Sequence, residues 1–375
     1  MLIILTGGGS GGHIFPLIAV AKKVRTLAKE RGIEDIRFLY VGPKFDRISE
    51  EVFRREGIDQ AYILSSKWRR YISPLNIIDL VKLPFAVAQA IWILFWQMPD
   101  AVFSKGGYGS FPVMVASWIF FIPSRVIHES DSVPGIANRL AAPFAKRIGT
   151  AFENAALKFP VKKTAVVGMP IRDDLCRQDP KKARTFFDIV STRKVVLVMG
   201  GSQGAKKIND AVVQILLRLV AKYEVIHVCG PHRYEDVKTE ITAIAGANLG
   251  GYYHLYPFLT EEIKFALTLA DIVISRAGAS SIFEIAACGK PSILIPLPRA
   301  AQDHQRANAY EYARSGGTIV IEENNLTPNL LYSTIVSVVD DPTAMAKMSS
   351  SAAAFAAKDA SETIAKEILQ LRGVV

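Results

Sequence analysis

A chain of 375 residues, half of them hydrophobic and with no low-complexity tract, is too long for one ordinary core and suits two folded domains. The net charge of +10 is unevenly spread, since residues 1–165 hold 22 Lys and Arg against 13 Asp and Glu while residues 166–375 hold 23 against 22. No zinc finger, RNA-binding signature or basic-aromatic strand accompanies the excess, which disfavours nucleic acid and favours an anionic membrane surface. Cys176, Cys229 and Cys288 are far apart and lack Cys-x-x-Cys spacing, arguing against a disulfide framework or a zinc site and fitting a reducing cytoplasm. The chain starts almost directly with a core strand, so no cleavable signal is expected.

The first predicted strand, residues 2–5, is a short apolar run of the kind a buried parallel strand needs. It breaks off at Thr6-Gly-Gly-Gly-Ser-Gly-Gly-His13, and helical spacing then begins with Ile14, Leu17, Ile18, Ala21 and Val24. Glycines at such a junction let a ligand approach the backbone, while the free amides and dipole of the helix attract negative charge. The usual Gly-x-Gly-x-x-Gly form with an acidic residue closing the next strand is missing, because residues 38–41 lead into Gly42-Pro43; a plain dinucleotide site is disfavoured. His13 lies on the first turn of the helix, where the positive dipole end favours the neutral ring of a general base. A histidine that merely bonds the loop backbone would occupy the same position.

Further strands are predicted at 37–41, 61–64, 101–103, 125–127 and 147–150. Residues 75–98 are unusually apolar, but Asp79, Lys82, Pro84 and Gln89 interrupt them, and a spanning helix needs roughly 20 apolar residues; no transmembrane helix is expected. Lys67, Trp68, Arg69 and Arg70, followed by Lys82, Phe85, Trp92 and Trp96, suit a segment lying among lipid headgroups, with ordinary core as the competing assignment for the apolar residues. His128-Glu-Ser-Asp131 and Pro134-Gly-Ile-Ala-Asn138 follow a strand, where doubly wound sheets either bind ligands or cap their loops. Gly168 and Pro170 mark a linker at residues 166–171.

The second half repeats the plan, with strands predicted at 195–199, 224–228, 251–255, 272–275, 292–295 and 318–321 and a second glycine turn, Gly200-Gly-Ser-Gln-Gly-Ala205. From Ala270 to Glu284 the chain runs from a strand through a small-residue turn into a helix whose first amides suit a diphosphate. Glu284, one turn inside, is placed to accept two ribose hydroxyls. Gln302-Asp-His-Gln-Arg-Ala-Asn308 opens another helix with groups suited to sugar hydroxyls or to solvent. The alternation predicts an α/β chain of two Rossmann-like doubly wound parallel-sheet domains facing across a cleft, residues 1–165 and 166–349, with a helix at about 350–375 returning to the first.

Six motifs occur in order between residue 1 and about 320: Gly-Gly-Ser-Gly-Gly-His-Ile-Phe-Pro16, Lys105-Gly-Gly-Tyr-Gly-Ser-Phe-Pro112, His128-Glu, Gly168-Met-Pro-Ile-Arg172, Gly200-Gly-Ser-Gln-Gly-Ala205, and Ser275-Arg-Ala-Gly-Ala continuing to Glu284-Ile-Ala-Ala. In this the chain resembles the MurG family, the UDP-N-acetylglucosamine transferases of peptidoglycan synthesis, which are GT-B glycosyltransferases of family 28. The resemblance implies inverting transfer of GlcNAc from UDP-GlcNAc to the C4 hydroxyl of MurNAc-pentapeptide on undecaprenyl diphosphate, turning lipid I into lipid II without a metal or other cofactor.

It also implies roles. Phe258 and Leu259 would lie near the uracil, Glu284 on the ribose, and Ser202 with Ala279, Ser280, Ser281 and Ile282 on the diphosphate. Arg172 matches a donor-binding arginine; Gln305 and Asn308 match positions near the sugar, and His304 stands where the family often has glutamine. Ser10, Gly11 and Gly12 would face the reacting centre, with His13 as the base. Asp131 departs from the usual asparagine, so either it pairs with a base such as Arg172 or the sugar contact differs here. The segment from Lys67 to Trp96 corresponds to the region that docks on anionic phospholipids of the inner leaflet, at the cytoplasmic face of a bacterial membrane, with other cell-wall synthesis proteins as further partners. The rival functions are another GT-B lipid glycosyltransferase, a UDP-GlcNAc 2-epimerase and a non-catalytic membrane scaffold.

Overall fold

A computed structural model describes residues 1–8, 11–45, 47–64, 74–201, 204–245, 249, 251–298, 300–356 and 359–373. The chain forms two units, Met1–Arg172 with Lys358–Val375, and Asp173–Ala357. In the first, β1 (Leu2–Thr6), α1 (Gly11–Lys29), β2 (Arg37–Gly42), α2 (Arg47–Arg55), β3 (Ile58–Tyr62), α3 (Pro74–Gln97) and β4 (Ala101–Ser104) alternate. They are followed by α4 (Ser110–Ile119), β5 (Ser124–Glu129), α5 (Ile136–Ala141), β6 (Arg147–Thr150), α6 (Glu153–Ala156) and β7 (Thr164–Val166). The seven strands are all parallel, in the order β3-β2-β1-β4-β5-β6-β7.

The second unit runs through α7 (Pro180–Phe186), β8 (Val195–Met199), α8 (Lys206–Val220), β9 (Glu224–Val228), α9 (Tyr234–Ala245), β10 (Tyr253–Tyr256), α10 (Ile263–Leu269) and β11 (Ile272–Ser275). It continues with α11 (Ala279–Ala287), β12 (Ser292–Leu294), α12 (His304–Ala313), β13 (Thr318–Val320), α13 (Pro328–Val339) and α14 (Pro342–Phe355). Its six parallel strands lie in the order β10-β9-β8-β11-β12-β13. In both sheets the order reverses at the first strand of the unit, so each glycine turn emerges beside a topological switch point, where such sheets take their ligands. The strands were predicted from apolar runs because helices cover both faces: Ile3 and Leu5 face one core cluster and Ile4 another, and Val196 and Leu197 divide likewise.

Three features differ from the sequence expectation. β7 was not foreseen as a strand: it pairs with β6, from Ile148 opposite Thr164 to Thr150 opposite Val166, and carries the first unit on to Arg172 rather than 165. The segment returning to the first unit begins at 358 rather than about 350, because the Phe355 ring at the end of α14 packs on Phe283 and Tyr312, with centroids 5.0 and 4.7 Å apart. The last helix, α15 (Ala360–Leu371), then buries Ile364, Ala365, Ile368 and Leu369 in one cluster with Leu17, Val20 and Val24 of α1. Arg147–Glu367 and Arg372–Asp100 ion pairs at 2.8 and 2.7 Å fix its register. The cysteine expectation is also corrected: Cys176 and Cys288 form a disulfide across 112 residues, because Cys288 closes α11 where the start of the second unit passes it. Cys229 is a buried free thiol.

Candidate active site

In the first unit the β1–α1 turn meets the β4–α4 turn. Lys105-Gly106-Gly107 follows β4, and both glycines have positive φ. A Cβ on Gly107 would stand 2.7 Å from Gly8 N, so only glycine allows the two turns to touch. His13 lies in the third position of α1, half-buried, with Nδ1 3.2 Å from Lys105 O. A carbonyl only accepts, so Nδ1 carries the proton and Nε2 keeps its lone pair. Burial, and then the positive charge of Lys105, push the His13 pKa down to about 4, with Asp131 opposing.

Beneath this turn lies a polar network with little contact with water. Lys105, 1% exposed, places Nζ 2.8 Å from His128 Nδ1, on Ser130 Oγ, and 3.6 Å from Met169 Sδ. His128 Nε2–H donates to Gly168 O at 2.8 Å, which leaves Nδ1 to accept from the lysine. Glu129 accepts from the amides of Asp131 and Gly135 at 3.1 and 2.9 Å and from Asn138 Nδ2 at 2.9 Å. Burial lowers the Lys105 pKa to about 7, against the opposing pull of Glu129 and Asp131, while burial and Asp131 raise that of Glu129. Asp131 thus offsets the charge of Lys105. Arg172 sets its guanidinium 5.4 Å from the Phe15 ring centroid of α1.

The second unit presents a different surface. Its glycine turn closes on β9, where a Cβ on Gly204 (φ +75°) would stand 2.4 Å from Cys229 O. The support below is a neutral chain: Asn209 Nδ2 donates to Cys229 O at 3.0 Å, His227 Nε2–H to Asn209 Oδ1 at 3.0 Å, and Tyr253 OH to His227 Nδ1 at 2.8 Å. Burial pushes His227 down to about 3. After β11, Gly278 begins α11 without a capping side chain, and no atom lies within 4 Å of where its Cβ would be. The first amides of α11 are therefore approachable by an anion. Ser275 Oγ, buried at the end of β11, has no protein hydrogen-bond partner.

The sequence candidates distribute as follows. Gly11 and Gly12 open α1; Ala279, Ser280, Ser281 and Ile282 form the first turn of α11, and Glu284 lies half-buried two residues on. Phe258 is exposed and Leu259 buried between β10 and α10. Gln305 Oε1 accepts from Leu297 N at 3.0 Å, and His304 Nδ1 lies 2.6 Å from Ala301 O. Asn308 is fully buried and donates to Ala277 O at 3.3 Å, which fixes the turn before α11. Ser10, Ser202, Lys67, Trp68, Arg69 and Arg70 lie outside the described residues. The network under Lys105 was missed by the sequence reading, although Lys105 and His128 end adjacent parallel strands. Gln302 and Asp303, consecutive non-glycine residues at φ +57° and +56°, were also missed. Among the described residues no group of three His, Cys, Asp or Glu is placed to hold a metal ion.

On α3 the core contacts are small: Ala86, Ala90 and Leu94 are buried, whereas Phe85, Trp92, Phe95 and Trp96 are 53–65% exposed. Trp92 packs edge-on against Trp96 at 5.7 Å, and Phe95 reaches Phe120 beyond α4 at 6.3 Å. Trp118 and Phe121, in and just after α4, are also exposed, while Lys82 is half-buried. Among the described residues no helix is long and apolar enough to cross a membrane.

Two such doubly wound parallel-sheet units in one chain have the GT-B fold, and the family matches place the chain among the glycosyltransferases. Residues 3–150 match the glycosyltransferase family 28 N-terminal domain and residues 195–364 the glycosyltransferase family 28 C-terminal domain. Similar proteins from Clostridium perfringens (39% identity over 334 residues, 89% of this chain and 88% of the relative) and Clostridium kluyveri (37% over 330 residues, 88% of each) bear one name. Both are called UDP-N-acetylglucosamine--N-acetylmuramyl-(pentapeptide) pyrophosphoryl-undecaprenol N-acetylglucosamine transferase. The crystal structure of MurG from Acinetobacter baumannii superposes with a TM-score of 0.74 at 26% identity, covering 98% of this chain and 99% of that one. The UDP-GlcNAc 2-epimerase of Neisseria meningitidis, with a TM-score of 0.69, 15% identity and coverage of 98% and 99%, shares the fold alone. The chain belongs to glycosyltransferase family 28 and, within it, to the MurG family.

Proposed function

We propose that the chain transfers GlcNAc from UDP-GlcNAc to the C4 hydroxyl of MurNAc-pentapeptide on undecaprenyl diphosphate, converting lipid I to lipid II with inversion. The observation carrying this reading is 39% identity, across nearly nine-tenths of both chains, to a transferase named for that reaction. The second unit holds the donor. The uncapped amides of α11 and Ser202 take the diphosphate, Glu284 the ribose hydroxyls, and the backbone at Phe258 and Leu259 the uracil. His304 and Gln305 face the sugar, and buried Asn308 holds the turn that presents α11.

The first unit holds the acceptor, with Ser10, Gly11 and Gly12 bordering the reacting centre. His13 Nε2 takes the proton from the C4 hydroxyl as that oxygen attacks the anomeric carbon and UDP leaves from the opposite face. A pKa of about 4 keeps this nitrogen unprotonated at neutral pH, though it makes the ring a weak base. Arg172 supplies fixed positive charge for the leaving diphosphate, in place of a divalent cation. Asp131 opposes the positive charge of Lys105 and raises the His13 pKa.

The exposed face of Phe85, Trp92 and Trp96, on the unit with the basic excess, rests on the anionic cytoplasmic leaflet where the lipid acceptor lies. Replacing Trp92 and Trp96 with Ser is expected to lower binding to anionic vesicles, and retained binding would remove the two indoles from the contact. The reaction is tested with labelled UDP-GlcNAc and a lipid I analogue. A disaccharide-linked lipid product supports it, whereas release of free sugar or an epimer from the donor alone overturns it.

A further inference from the structure

Lys105 has every polar atom engaged. Its amide donates to Thr6 O at 2.8 Å, its carbonyl receives His13 Nδ1–H at 3.2 Å, and its ammonium lies between His128 Nδ1 and Ser130 Oγ with Met169 Sδ behind. Gly106 and Gly107 then turn the chain away against Asn138 and Gly8. The side chain is 1% exposed, so it is shut off from solvent. A buried lysine without a direct carboxylate partner is costly, and a methionine would fill the same space without that cost.

We propose that Lys105 is the positioning residue for His13: its ammonium, anchored on His128 and Ser130, fixes the carbonyl that accepts from His13 Nδ1–H and so sets the tautomer and orientation of the ring. The inference rests on His13 being the base. His13 is faced by Lys105 from the β4–α4 turn and by Asp131 from the β5–α5 turn; Lys105 in turn is faced by His128, Glu129 and Asp131. In the range where His13 titrates, around pH 4, Lys105 is still protonated because its own pKa is near 7. Removing its positive charge therefore raises the His13 pKa, and the acid limb of kcat/KM moves to higher pH.

The test compares the full-length wild-type chain with Lys105→Met, following the histidine rings by 15N NMR across a pH titration and assigning the His13 signals with His13→Gln. In the wild type the His13 ring is expected as the Nδ1–H tautomer titrating below pH 5. An Nε2–H tautomer, or a midpoint above 6, overturns the proposal even if Lys105→Met fails to fold. In a folded Lys105→Met the midpoint is expected to rise by ~1 unit, and the acid limb of kcat/KM with it. An unchanged midpoint assigns the lysine to packing alone and overturns the proposal. If the NMR midpoint moves while His13→Gln retains near-normal turnover, positioning stands and the base assignment falls.

Discussion

Beneath the first glycine turn lie Lys105 and Glu129, two ionisable groups held off their ordinary pKa values by burial, together with a neutral His128. Beneath the second lie Asn209, His227 and Tyr253, joined by hydrogen bonds that carry no net charge. The strand, turn and helix above are alike, and the difference fits the work proposed for each surface. Holding a diphosphate needs amides in fixed places, which a neutral scaffold supplies. Drawing a proton from a hydroxyl needs a nitrogen whose charge state is controlled, and that calls for charges nearby.

The largest expected effect tests the chemical side of this contrast. His13→Ala should lower kcat by roughly 10²–10⁴-fold with donor affinity little changed. Steady-state kinetics at saturating lipid acceptor check this, and turnover within a fewfold of wild type would move the base elsewhere. Acid should act on both units at once. The folded-state pKa values of His13, His128 and His227 are all depressed below the unfolded value near 6.5, so the unfolded chain binds more protons and stability falls as pH drops through 6.5. For His13 the loss is complete near pH 4 and is on the order of 3 kcal/mol. Urea midpoints measured from pH 7 to 4 read it, and a flat profile would mean that the rings are already charged.

Gly107→Ala should cost about 2–3 kcal/mol, combining left-handed backbone strain with a collision at Gly8 N. Its damage should stay in the first unit, so calorimetric UDP binding survives where thermal unfolding is shifted. The smallest effect is on the donor side. Glu284→Ala should weaken UDP roughly tenfold by removing a charged hydrogen-bond acceptor from the ribose. Unchanged affinity in the same titration would take Glu284 out of the ribose site.

The parts of the molecule that were legible in the sequence are those set by local pattern. The apolar runs at β1 and β8 and the glycine turns after them mark buried parallel strands opening into helices, and twelve of the thirteen strands among the described residues lie near predicted ones. β7 escaped because three half-exposed or exposed residues at a sheet edge carry no apolar run. The Cys176–Cys288 bond escaped because proximity across 112 residues is a property of packing that spacing does not record. Lys105 escaped for a different reason. Lysine is ordinarily read as surface, and only the adjacency of β4 and β5 turns it inward onto His128. On α3 the pattern left core and surface undecided, and the structure divides them, with Ala86, Ala90 and Leu94 inward and the indoles outward.

The placement of α15 bears on how the chain emerges from the ribosome. Five of its residues complete the cluster around α1, so the half translated first lacks part of its interior until α15 leaves the exit tunnel. The second unit, whose sequence is continuous from Asp173 to Ala357, is released whole before that. Order of synthesis and order of completion are therefore opposite. A chain lacking the residues from 360 on would carry the whole second unit and an N-terminal half with the apolar stripe of α1 uncovered, a ready substrate for a holding chaperone.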